Sequence, residues 1–194
     1  MASERSPHEQ AGSEPVVLIP IKDFAQAKNR LASALDQPAR QSLAREMAER
    51  VVRAANGLDV RVVCSDPVVA DWAVSVGARV ARVEVEGLNA ALTAAVEDLE
   101  PEVELVLIAH ADLPFAESLV DLAVPGTVTI VPDRHLDGTN VLAIPTAVAF
   151  EFHYGTGSFI SHIAEAGRHG LDVTVRQRSD LGWDVDTPDD LPES

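Results

Sequence analysis

The chain predicts a single α/β domain, Rossmann-like in layout, with a mostly parallel sheet flanked by helices on both faces. Three observations predict it. Apolar runs of strand length alternate with segments of helical period along almost the whole chain. The strand-length runs Val16 to Ile21 and Glu104 to Ala109 are nearly continuously apolar, the pattern of strands buried on both faces. The 194 residues carry neither an internal repeat nor an interdomain linker, and one domain of that length can bury a sizeable core.

The elements follow in order. Met1 to Glu14 is polar and is expected to be a disordered tail, leaving 15–194 as the domain. Val16 to Ile21 is the first strand. Asp36-Gln-Pro38 is a helix start signal, and the helix after it places Leu43, Met47, Val51 and Ala55 on one face before Gly57 ends it. Val60 to Cys64 is a strand, Pro67 to Val76 a short helix, and Ala78 to Val83 a third strand. Gly87 to Val96 reads as a helix with glycine at its entrance. Glu104 to Ala109 is the central strand, followed by a short helix from Phe115 to Ala123 and a strand from Thr127 to Val131. Asn140 to Ile144 is a further strand, Phe159 to Ala166 a helix and Leu171 to Arg176 a strand.

Composition narrows the function. The formal net charge of −16 repels polyphosphate backbones, so nucleic acid is not expected as a partner. A small anionic metabolite remains compatible, because a few cations reverse the sign locally within about 10 Å. The single cysteine, Cys64, excludes an intramolecular disulfide and multi-cysteine metal sites, and in its strand it reads as a small buried hydrophobe. No apolar run is long enough to span a bilayer and no signal-peptide core is present, so no membrane partner and a cytoplasmic location are expected.

The residues that suit chemistry stand at the ends of apolar runs. Lys22, Lys28 and Arg30 follow the first strand, three positive charges in nine positions of a chain with fifteen Lys and Arg. Asp112 follows the central strand in Ala109-His-Ala-Asp-Leu-Pro114, and Asp184-Val-Asp186 precedes Thr187-Pro-Asp-Asp190. Carboxylates that hold a divalent metal, facing cations that hold phosphates, are what phosphoryl or nucleotidyl transfer requires. Ligands in open α/β sheets collect beyond the carboxyl ends of strands, so these distant segments can converge.

Each segment also has a plain structural reading. Asp112 could cap a helix after Pro114, and Thr187-Pro188-Asp-Asp190 spells a helix start, with capping the stronger reading for Asp189 and Asp190. Asp184 and Asp186 are expected on opposite sides of an extended chain, so at most one joins a given metal. Tyr154-Gly-Thr-Gly-Ser-Phe159 offers small residues, exposed amides and the Ser158 hydroxyl ahead of a helix, which suits a phosphate; Ser158 as an ordinary N-cap is the alternative. Thr139 could donate to an anion or close a turn. Dinucleotide fingerprints and Walker-type Gly-Lys-Ser/Thr loops are absent.

Taken in order, these segments resemble the small guanylyltransferases of coenzyme F-420 biosynthesis, the CofC/FbiD family of phosphoenolpyruvate and 2-phospho-L-lactate guanylyltransferases. The resemblance runs from about Val16 to Leu191. It rests on Ile19-Pro-Ile-Lys22, Ala27-Lys-Asn-Arg-Leu31, Gly87-Leu-Asn-Ala-Ala-Leu92, Ala111-Asp-Leu-Pro114, Pro132-Asp-Arg134, Gly138-Thr-Asn140, Tyr154 to Phe159 and Asp184 to Leu191.

The resemblance implies a nucleotidyltransferase-like fold, GTP and a phosphorylated three-carbon acid as substrates, Mg²⁺ as cofactor, pyrophosphate release, and a product handed to a downstream transferase. It implies that Thr139, Gly155 and Ser158 bind the phosphorylated acid. Asp112 with an acid of the pair Asp184 and Asp186 would hold Mg²⁺, and Lys22, Lys28 and Arg30 would hold phosphates. Gly87, Leu88 and Asn89 would lie near the nucleotide base. The sequence departs from the family pattern at His110, Asp137, Thr156 and Trp183. Rival readings are a nucleotidyltransferase acting on a molybdopterin or sugar phosphate, a glycosyltransferase, and a nucleotide-binding subunit without turnover.

Overall fold

Strand β1 (Val16–Pro20) buries side chains alternately on two faces, and that alternation organises the molecule. Val17 and Ile19 enter one apolar cluster, while Val16 and Leu18 enter another on the opposite face. A computed structural model describes residues 14–191. The expected tail lies almost wholly outside the described residues.

Seven strands form one sheet in the order β3-β2-β1-β4-β6-β5-β7. They are β1, β2 (Asp59–Cys64), β3 (Arg79–Arg82), β4 (Leu105–Ala109), β5 (Thr127–Pro132), β6 (Thr139–Pro145) and β7 (Asp172–Val175). The pairs β1–β2, β2–β3, β1–β4 and β5–β7 are parallel, and β6 runs antiparallel to both its neighbours. The β5–β6 register shifts at Pro132, whose missing N–H makes it a natural place for the ladder to break. That shift lies beside Thr139, its pairing partner.

Helices α1 (Gln37–Ala54) and α2 (Pro67–Ser75) cover one face. Helices α3 (Leu88–Glu97) and α4 (Ser158–Arg168) cover the other. The Asp36 side chain caps α1 by accepting from the Ala39 amide, and Asp66 caps α2 through Val69, each ahead of a proline in the first turn. Buried Ala44, Met47, Ala48 and Val51 make the inward stripe of α1. No helix among the described residues is long and apolar enough to cross a membrane.

Two expectations need correction. Residues 115–123 form turns rather than a helix. Leu113, Ala116, Leu119 and Leu122 are buried, but the Leu119 amide donates to the Ala54 carbonyl at the end of α1 instead of to its own segment. Burial there is achieved by docking on α1. Ser158 is the first residue of α4, and the N-cap is Gly157, in the left-handed region at φ 73°.

Candidate functional site

The strand order reverses between β1 and β4, so the chain leaving each diverges and opens a crevice at their carboxyl ends. Lys22 to Leu31 leaves β1 and His110 to Leu113 leaves β4. They line a cavity of about 410 Å³ that includes Lys22, Lys28, Arg30, His110, Asp112 and Asp186. A second cavity, of about 700 Å³, shares Lys22 and Leu88 with the first and adds Gly87 and Ala91. A third cavity, of about 880 Å³, contains Leu105 and Pro145 at the opposite end of the central strands, remote from these groups.

Lys28 is the hinge of the basic segment. Its backbone is left-handed at φ 55°, which costs about 1–2 kcal/mol for an L side chain. Its ammonium offsets that by reaching two carboxylates, Asp112 Oδ2 at 2.5 Å and Asp186 Oδ1 at 3.1 Å. Arg30 approaches the other Asp186 oxygen at 3.6 Å from an exposed position. Lys22 is exposed and has no ion-pair partner among the described residues, so it is free to meet an anion.

The acidic segment reaches this place through specific tertiary contacts. The Val185 amide donates to the Asp112 carbonyl at 3.3 Å. Val185 itself is fully buried in a small cluster with Leu31 and Met47, which ties the acidic segment to the basic one behind the site. With Val185 turned inward, Asp184 and Asp186 flank it on the side of Asp112. The expectation that they point to opposite sides is therefore corrected: side chains two apart on an extended chain share a face. Asp184 accepts from the buried Asn140 amide at 3.4 Å, and Asn140 also donates to the Leu181 carbonyl.

Electrostatics follow from this crowding. Burial pushes the Asp112 carboxyl up, but Lys28, aided by His110, outweighs it and holds Asp112 below the usual carboxylate range. Burial likewise works against the Lys28 ammonium, and Asp112 and Asp186 still raise it above its ordinary value. Asp184 is pushed up by burial and then by Asp112 and Asp186. The Asp112 Oδ1 atom is buried without a hydrogen-bond partner. Asp112, with its orphaned oxygen, and Asp184, with its raised pKa, offer hard oxygen donors of the kind a divalent cation such as Mg²⁺ takes, but with Lys28 between Asp112 and Asp186 the three carboxylates do not converge on one point.

A network sequence reasoning did not find holds the acidic loop. The Arg134 guanidinium lies 4.2 Å from the Trp183 ring, donates to the Asp184 carbonyl at 3.3 Å and pairs with Asp190. Asp190 Oδ2 accepts from the Asp186 and Thr187 amides and from the Thr187 hydroxyl, so its cap reading is right. Trp183 donates from Nε1 to the Asp190 carbonyl at 2.9 Å. The cue was the Pro132-Asp-Arg134 segment, but its partners lie 50 and 56 residues away. Asp133 closes the adjoining turn, its carboxylate accepting from the His135, Asp137 and Gly138 amides.

The expected acceptor residues gather separately. Thr139 and Ser158 are buried and Gly155 is exposed; none of the three lines the cavity that holds Lys28 and Asp112. Gly155 and Gly157 adopt φ 130° and 73°, conformations that side chains disfavour, and so allow the tight entry to α4. The expected free amides at this helix start are partly engaged: Ser158 donates to the Gly155 carbonyl and Phe159 to the Asp137 carbonyl. The Ser158 hydroxyl has no hydrogen-bond partner among the described residues.

Asn89 links the two regions. Its side chain donates to the Tyr154 carbonyl at 3.2 Å and accepts from the Tyr154 amide at 2.8 Å. Its amide is thus engaged with the loop before Gly155, while Gly87 and Leu88 line the second cavity. The Tyr154 ring lies 5.1 Å from His110 and 4.8 Å from His162, bridging the acidic site to the acceptor residues.

Comparison with known proteins places the chain in a family and a fold. The chain is 37% identical over 184 residues to a phosphoenolpyruvate guanylyltransferase of Rubrobacter xylanophilus, covering 90% of each chain. It is 36% identical over 185 residues to a 2-phospho-L-lactate guanylyltransferase of Methanothermobacter thermautotrophicus, covering 91% of this chain and 82% of that one. Among solved structures, a nucleotidyl transferase from Methanothermobacter superposes with a TM-score of 0.64 at 15% identity, covering 92% of this chain and 94% of that one. A 4-diphosphocytidyl-2C-methyl-D-erythritol synthase from Anaerococcus prevotii does so with a TM-score of 0.59 at 13% identity, covering 91% and 94%. These two likenesses show the nucleotidyltransferase-like fold. The profile of the family described as "Guanylyl transferase CofC like" matches residues 15–194, and the chain belongs to that family.

Proposed function

We propose that the protein joins GTP to phosphoenolpyruvate, or to the closely similar 2-phospho-L-lactate, and releases pyrophosphate. A phosphate oxygen of the acceptor attacks the α-phosphorus of GTP in line, and the bond to the bridging oxygen of the leaving pyrophosphate breaks. No protein nucleophile is required, since the acceptor phosphate is already ionised at neutral pH. The obstacle is repulsion between two multiply charged substrates, so the site's task is to neutralise charge.

The observation that carries this reading is the meeting of Lys28 with Asp112 and Asp186 at the β1–β4 crevice, in a chain of this family. Mg²⁺ held by Asp112 with one acid of the pair Asp184 and Asp186 would neutralise charge on the triphosphate and on the departing pyrophosphate. Lys22, Lys28 and Arg30 would bind phosphates beside it. Gly87 and Leu88 would wall the base in the second cavity. Thr139, Gly155 and Ser158 would hold the phosphorylated acid. Water-soluble, charged substrates suit a cytoplasmic enzyme of coenzyme F-420 biosynthesis, whose product passes to a downstream transferase.

The test is pyrophosphate release with Mg²⁺, comparing GTP with ATP and CTP and each acceptor with the other. A partner enzyme that consumes the product is included, because the product can be labile. Release that needs GTP and one acceptor is the expected result and names the substrate. A folded protein that binds GTP yet releases no pyrophosphate with either acceptor would overturn the proposal.

A further inference from the structure

His162 has no solvent exposure and sits on α4, one turn after Ser158 and on the same helix face. The rings of Tyr154 and Phe150 lie 4.8 and 6.0 Å away. Its two nitrogens have different partners. Nε2 lies 3.0 Å from the backbone nitrogen of His153, which can only donate, so Nε2 must carry a lone pair. In a neutral imidazole the proton is then on Nδ1, which lies 3.0 Å from Thr139 Oγ1 and donates to it.

A consequence follows for Thr139. Its hydroxyl oxygen is occupied as an acceptor, so its own proton is directed away from His162. No other partner meets Thr139 Oγ1 among the described residues. The hydroxyl is therefore a donor in need of an acceptor, and the Ser158 hydroxyl is equally free nearby. Burial, with lesser effects from His153 and His110, lowers the His162 pKa to about 4, so the ring remains neutral under working conditions. Protonation of Nε2 would also set it against the His153 amide.

We propose that His162 is a positioning residue for the acceptor. Locked as the Nδ1–H tautomer, it turns the Thr139 hydroxyl proton toward the acceptor's phosphate and fixes α4, with Ser158, against β6. The inference rests on Thr139 and Ser158 being the acceptor site. His162 touches no substrate and acts through Thr139.

Steady-state kinetics of the full chain test this with His162→Leu, His162→Asn, Thr139→Ala and the double variant Thr139→Ala/His162→Leu. An asparagine amide can take the place of Nδ1 as donor, whereas leucine cannot. Expected are a rise of about fivefold or more in acceptor KM for His162→Leu, the scale of one misdirected hydrogen bond, with GTP KM little changed. His162→Asn should recover most of it. The double variant should be no worse than Thr139→Ala alone, because two residues acting through one bond are not additive.

Additive effects in the double variant would overturn the positioning role while leaving the acceptor site in place. An unchanged acceptor KM in Thr139→Ala would overturn the acceptor-site reading itself, and the proposal with it. Should His162→Leu fail to fold, nitrogen-15 NMR of the unmodified protein decides the tautomer. The Nδ1–H pattern, unchanged from pH 5.5 to 8, is expected; an Nε2–H pattern or a titrating ring would overturn the proposal.

Discussion

The Lys28 ammonium lies 2.5 Å from Asp112 Oδ2, and the same nitrogen reaches Asp186 across a sequence gap of 158 residues. One cation thus neutralises carboxylates from two distant segments, while Asp112 Oδ1 has no hydrogen-bond partner and lies 4.0 Å from the His110 ring. Charge balance between these two carboxylates depends on this lysine.

Lys28→Met should accordingly lower stability as well as turnover. Removing one partner of a mostly buried pair leaves an uncompensated carboxylate and costs on the order of 3 kcal/mol. Mg²⁺ should restore part of that loss, since it supplies the missing positive charge. Thermal unfolding with and without Mg²⁺ checks this; a variant as stable as the parent, or insensitive to Mg²⁺, contradicts it.

Asp112→Asn removes the central carboxylate but keeps its shape. Turnover should fall by roughly 100-fold or more, the scale of losing one element of charge stabilisation in the transition state. The circular dichroism spectrum should stay unchanged. Near-normal turnover at saturating Mg²⁺ would remove Asp112 from the metal site.

Arg134→Ala should act at a distance. It deletes the stacking on Trp183 and the pairing with Asp190 that hold residues 184–190 against Asp112. We expect a loss of about 1–3 kcal/mol in stability and weaker Mg²⁺ binding measured calorimetrically. Arg134→Lys should rescue poorly, because lysine lacks the planar fork that stacks and donates together. Full rescue by lysine would reduce the role of Arg134 to charge alone.

Ser158→Ala should raise the acceptor KM about tenfold and leave the GTP KM close to its parent value, since its hydroxyl is free to meet a charged acceptor. Equal changes in both constants would place Ser158 outside the acceptor site.

Stability should fall as pH drops from about 6.5 to 4. The folded pKa of His162 is lowered to about 4, against about 6.5 for an unfolded histidine. Between these values the unfolded chain binds the extra proton, so its population rises as pH falls. The full effect is on the order of 3 kcal/mol, at about 1.4 kcal/mol per pKa unit. Urea unfolding of the parent and of His162→Asn across that range measures it. The variant should lack this part of the slope; identical slopes would assign the acid sensitivity elsewhere.

Local signals were legible where the chain interacts with its near neighbours. Asp36 capping α1, the doubly buried strands, and the capping role of Asp190 needed only short-range pattern. The 115–123 segment misled, because its threefold spacing of apolar residues reflects docking on the Ala54 carbonyl rather than a helical turn. The inward turn of Val185, which brings Asp184 and Asp186 to one side, depends on a pocket made by Leu31 and Met47. Of the residues around that pocket, Trp183 is near Val185 in sequence, while Leu31, Leu35, Leu43 and Met47 come from the far end of the chain.

By itself, the sequence determined the alternation of strands and helices, the two-sided burial of the sheet, and which segments carry acid, base and hydroxyl. Those properties reside in period and residue type, which act over one or two turns. Only the tertiary structure decided that Lys28 bridges Asp112 and Asp186, that Asn89 grips the Tyr154 backbone, and that His162 orients Thr139. Each joins groups 23 to 158 residues apart. Hydrogen bonds and ion pairs act over a few ångströms, so their partners exist only after the sheet order has placed the ends of the strands side by side.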